Sequence, residues 1–116
     1  MNYLLIIYAN EAARADVPPA AQQEEMGKWF AYTEEMKSAG VFVAGDALQP
    51  TSTATSVRLR DGKIVHTDGP FAETKEQLGG YYLMNCKDLD HALEWAGKCP
   101  GAANGTLEVR PVMVFE

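Results

Sequence analysis

Nine consecutive residues, Asp68 to Glu76, carry three carboxylates and one ammonium: Asp68, Glu73, Glu76 and Lys75. A carboxylate lodged beside Phe71 and Tyr81 would lose water, rise in pKa and suit proton transfer or ligand orientation. The plainer reading of Asp68 is a turn residue. An Asp before Gly69-Pro70 accepts backbone N–H bonds from the chain it bends. Lys75 is a candidate for an anionic substrate group, with Glu73 setting its charge. Against that stands a short solvated helix after Pro70, with acidic residues favoured near its N-terminus. Thr74 and Gln77 have capping-box spacing for such a helix. For Glu76 the helix reading is preferred.

Two more groups enter the same argument. Asp46 follows Gly45 at the end of a strand-like run. His66 stands two residues before Asp68, on the same face if a strand persists that far. Its plainer reading is an exposed hairpin residue, and His91 reads as surface. The proton-transfer candidates are therefore Asp68, Asp46 and His66. The ligand contacts are Gly69, Pro70, Phe71, Glu73, Lys75 and Tyr81. Tyr3, Tyr8 and Tyr82 fit a core first and a ligand border second. Metal-ligand spacings and nucleotide-binding glycine loops are absent, so no metal or cofactor is expected. Cys86 and Cys99 lack CxxC spacing and read as free, partly buried thiols.

The elements that must position these groups follow from periodicity. Tyr3 to Tyr8 is apolar on both faces, which predicts a central strand. Asn10 to Asp16 reads as a polar connection. Val17-Pro18-Pro19 opens a helix over Ala20 to Ala39, with Gly40 as its cap. Met26, Trp29, Phe30, Thr33 and Met36 form its expected buried stripe. Val41 to Ala44 is a second strand. Asp61-Gly62 turns a hairpin that projects from the main sheet as an insertion. Gly79-Gly80 is expected to turn the chain sharply into a strand ending at Asn85. Asp88 caps a second helix with the stripe Leu89, Ala92, Leu93 and Ala96. Thr106 to Phe115 reads as the last strand, at an edge because of Pro111.

The order β-α-β, hairpin, β-α-β predicts one α+β domain over 1–116, a ferredoxin-like βαββαβ fold with an inserted β-hairpin. Its first and third main strands are central. Two helices cover one face of a four-stranded sheet, so the other needs a second copy, giving a homodimer. The formal charge of −6 disfavours nucleic acid. The longest apolar run is too short for a membrane span. No basic segment precedes it, so it reads as a strand and not a signal peptide, with the cytoplasm as default compartment.

Asp68-Gly69-Pro70-Phe71-Ala72-Glu73-Thr74-Lys75-Glu76 and the following Gln77-Leu78-Gly79-Gly80-Tyr81-Tyr82-Leu83 resemble the defining motif of the DGPF (DGPFAETKE) proteins, a branch of the YCII-related proteins. Gly45 to Pro50 and Val109 to Val112 also resemble family positions. The resemblance implies a dimeric α/β barrel with a pocket between sheet and loops. YCII relatives are thought to use a His-Asp pair, but this chain, like the DGPF branch, has no histidine in its first helix. Two function classes follow. One is a cofactor-free enzyme performing acid–base chemistry at Asp68 on a small molecule, by analogy with isomerases, hydrolases and dehalogenation. The other is a noncatalytic ligand-binding or regulatory accessory protein, associated with an extracytoplasmic-function sigma factor.

Overall fold

In the computed structural model of the protein, residues 1–115 are described. The chain is mixed α+β. Strand β1 (Asn2–Ala9) leads through a short helix α1 (Glu11–Arg14) into helix α2 (Pro19–Ser38). Strand β2 (Phe42–Ala47) and a 3-10 turn (Thr51–Thr53) precede the hairpin strands β3 (Thr55–Arg60) and β4 (Lys63–Asp68). Strand β5 (Gln77–Asn85), helices α3 (Leu89–Lys98) and α4 (Gly101–Asn104), and strand β6 (Thr106–Pro111) complete it. The main sheet has the order β2-β5-β1-β6, with every pairing antiparallel, while β3 and β4 form a separate two-stranded sheet.

Local signals explain most boundaries. Pro19 fits the first turn of α2, and Gly40 leaves that helix at φ +74°. Asp88 accepts the His91 N–H at 2.9 Å, capping α3. Asp61 and Gly62 take φ of +51° and +75°, the paired positive angles of a two-residue hairpin turn. Both central strands are the ones without alternation, β1 and β5. The core lies between the sheet and the helices, around Leu5, Met36, Val41 and Met84.

Several expectations are corrected. The 10–16 connection contains α1, with Asn10 accepting the Ala13 N–H. The buried stripe of α2 is rotated: Tyr32 and Met36 are buried, whereas Met26 and Phe30 are exposed. In α3, Trp95 is buried beside Ala92 and Ala96, and Leu89 and Leu93 are exposed. Tyr32 decides the first case by donating its hydroxyl to the Trp95 carbonyl at 2.8 Å, so the two helices meet through it. Gly79-Gly80 makes no turn. Both lie within β5, where the register passes from Ile7–Gly80 to Tyr8–Leu78 and bulges at Gly79. A Cβ on Gly80 would stand 2.9 Å from the Asp46 carbonyl oxygen, so glycine there admits β2. No helix follows Pro70, and Gln77 donates to the Thr74 carbonyl instead of closing a capping box. The last strand ends at Pro111 rather than Phe115.

Candidate functional site

Strand register sorts the sheet residues onto two faces. Tyr3, Leu5, Tyr82 and Met84 face the helices. Across the helix-free face run three rows. The middle row is Asp46, Tyr81, Ile6 and Glu108, one residue from each strand. On one side lie Ala44, Leu83, Leu4 and Arg110. On the other lie Leu78, Tyr8 and Thr106, brought there by the bulge. This face therefore has an apolar centre with ionisable residues toward its edges.

Tyr81 donates its hydroxyl to Asp46 Oδ2 at 2.6 Å, a charge-assisted bond between register partners. That bond, and then the carboxylate's charge, raise the Tyr81 phenol above its ordinary pKa. Across the sheet the Glu108 carboxylate does the same to Tyr8, with burial adding to it. Tyr82, the chain neighbour of Tyr81, points the other way, where its hydroxyl lies 2.7 Å from Thr33 Oγ1. A Cβ on Gly45 would come 2.6 Å from the Tyr82 ring. Glycine at 45 therefore lets that ring lie against β2 and sets Asp46 one residue on, on the opposite face.

Two open concavities flank this sheet. One, of about 770 Å³, lies between the hairpin, the 48–54 loop and the 70–78 segment. Tyr8 and Leu78 line it, so it continues from the helix-free face, and Pro70, Phe71 and Glu76 form part of its wall. The other, of about 680 Å³, runs along α2 and the β2 edge, with Trp29, Phe30 and Tyr82 among its lining and Asp46 and Tyr81 bordering it.

The candidates from sequence fall into separate places. Asp46 and Tyr81 are joined. Asp68 ends β4 opposite Thr55, and His66 pairs with Val57. Both are exposed rather than half-buried, and neither lines a concavity or bonds to Asp46. Gly69 is the turn itself, at φ +92°, its N–H donating to the Ala54 carbonyl at 2.7 Å. Phe71 is 80% exposed. Glu73 and Lys75 are exposed and form no ion pair among the described residues. Glu76 is structural, accepting the Thr106 hydroxyl at 2.6 Å.

Sequence reasoning missed Glu11. Its carboxylate accepts from the Thr51 N–H at 3.0 Å and the Thr51 hydroxyl at 2.7 Å, while its own N–H donates to Gln77 Oε1 at 2.9 Å. This network ties the end of β1 to the 48–54 loop and to the start of β5. Nothing in the spacing announces it, because its three members are 40 and 66 residues apart. Glu108 was also missed: it pairs with Ile6, and the β1–β6 pairing brings its carboxylate close enough to raise the Tyr8 phenol.

The model of the YCII-related domain matches residues 1–116. An uncharacterised protein of Rhizobium meliloti (strain 1021) is 34% identical, over all of this chain and 95% of the relative. The full-length match to the domain and the full-length relative together show that the chain belongs to the YCII-related family.

Proposed function

We propose that the protein is a cofactor-free enzyme that moves protons on a small organic molecule, with Asp46 as the base and Tyr81 as its hydrogen-bonding partner. The 2.6 Å contact between them carries the reading. A carboxylate fixed by one phenol keeps free lone pairs for a substrate proton, and Asp46, once protonated, can return that proton at another position of the same molecule. The main-sheet order β2-β5-β1-β6 with two covering helices supports a ferredoxin-like arrangement. The apolar centre of the helix-free face supports closure of a dimeric α/β barrel by a second copy, which would exclude water from the Asp46–Tyr81 pair.

The test needs no natural substrate. Proton NMR follows wash-in of solvent deuterium at acidic C–H positions in a panel of small lactones and keto acids. Wild type is expected to accelerate exchange in at least one, and Asp46→Asn to slow it by about 100-fold or more. Exchange that survives Asp46→Asn unchanged overturns the assignment. Asp68→Asn run alongside decides whether the DGPF loop takes part in the chemistry.

The exposure of Asp46 in a single chain favours a second reading. Here the same surface binds a ligand without turnover, and the chain of −6 charge serves as an accessory to a basic partner such as an extracytoplasmic-function sigma factor. Saturable binding with no exchange in any compound selects it.

A further inference from the structure

The hairpin β3–β4 is two-faced. Val57, Leu59, Ile64, His66 and Asp68 share one face, because Val57 pairs with His66 and Leu59 with Ile64. Arg58, Arg60 and Lys63 share the other. Among the described residues nothing covers the apolar face: Val57, Leu59 and Ile64 are 62%, 65% and 70% exposed. A lone two-stranded hairpin is marginally stable in water and needs a surface to pack on. The chain as a whole shows the same deficit. Its accessible surface is 8411 Å², whereas a compact chain of this mass exposes about 6,200 Å². Its radius of gyration is 16.3 Å, against about 13 to 14 Å for a compact domain of this length. The excess of surface is larger than the roughly 800 Å² that each partner gives to an ordinary interface.

We infer that the hairpin is an arm that packs on a second copy of this chain and carries His66 and Asp68 into the partner's side of the site. A second copy is the occupant that area favours: the excess surface exceeds what one partner contributes to an ordinary interface, and each copy offers both an arm with an uncovered apolar face and a body to receive it. The arm explains why His66 and Asp68, on its apolar face, stand in water in one chain. They sit at the root of a surface that is covered only in the pair. The inference rests on the dimer proposed above, and it adds that each site is incomplete without residues from the other copy.

Sedimentation and chemical modification test it together. Wild type is compared with the double variant Leu59→Asp/Ile64→Asp, with circular dichroism confirming the fold. Leu59→Thr/Ile64→Thr, which keeps β-branched residues, replaces it if the fold is lost. Diethyl pyrocarbonate labelling is read by mass spectrometry at His66, with His91 as internal reference. The expected result is a wild-type dimer whose His66 reacts at least ten-fold more slowly than in the variant, and a variant dimer weakened at least ten-fold. A wild-type dimer that labels His66 at the variant's rate overturns the inference. So does a dimer indifferent to both arm variants but dissociated by Leu83→Glu, which leaves the sheet-face reading intact. A wild-type monomer overturns both.

Discussion

Tyr81 and Tyr82 are chain neighbours with opposite surroundings, and the difference is measurable. Asp46 holds the Tyr81 phenol above its usual range, first by accepting its hydrogen bond and then by charge. Asp46→Asn removes the charge, so the Tyr81 titration midpoint should fall toward the ordinary tyrosine value. Ultraviolet phenolate titration, differenced against Tyr81→Phe, reads that shift. Cys99 provides the stability counterpart. Burial pushes its thiol from 9.0 up to about 11, with a backbone hydrogen bond from Gly101 opposing. Above pH 9 the unfolded chain loses this proton while the folded chain keeps it. Stability is therefore intact below pH 9 and falls as pH rises toward 11, by on the order of 2–3 kcal/mol from this group. Tyr32, raised chiefly by burial, adds to the same alkaline loss. Urea unfolding midpoints across this range should decline, and Cys99→Ala should flatten the decline. Two buried free thiols should also resist Ellman's reagent until the protein unfolds.

Elements were legible where local chemistry sets them and illegible where a neighbour does. Asp88 reads as a cap in sequence and is one, so Asp88→Ala should cost about 1 kcal/mol in thermal or urea unfolding. The positive angles at Asp61 and Gly62 were equally readable from the dipeptide. The Gly79-Gly80 pair was not. Two glycines signal a turn, a bulge or a close approach alike, and only the pairing with β1 and β2 selects bulge and close approach. Gly45→Ala tests the close approach. Its Cβ would meet the ring of a buried Tyr82, which Thr33, Trp29 and Phe42 hold in place. Overpacking of about 1–3 kcal/mol is expected, read in urea unfolding. The stripe of α2 was misjudged because Met26 and Phe30 are as apolar as Tyr32, and period alone does not rank them.

At the scale of the molecule the governing quantity is surface. One helical layer leaves Leu4, Leu78 and Leu83 partly or fully exposed on the face opposite the helices, around a buried Ile6. Met113, Val114 and Phe115 beyond β6 are 73%, 82% and 85% exposed. Leu83→Glu places a charge at the centre of the proposed contact, and should lower dimer affinity by ten-fold or more in sedimentation without loss of helix signal. Among the described residues no helix is long and apolar enough to cross a membrane.

The sequence alone determined the family, through a motif of many contiguous residues. It also determined the two central strands through unbroken apolar runs, and the helix and hairpin ends through caps and turn residues that act within a few positions. Tertiary structure decided which carboxylate has a phenol. Asp46 and Tyr81 are 35 residues apart, and only the register of β2 on β5 makes them neighbours. Side chains alternate along a strand, so a single-residue bulge changes every partner beyond it, and no local pattern records that choice.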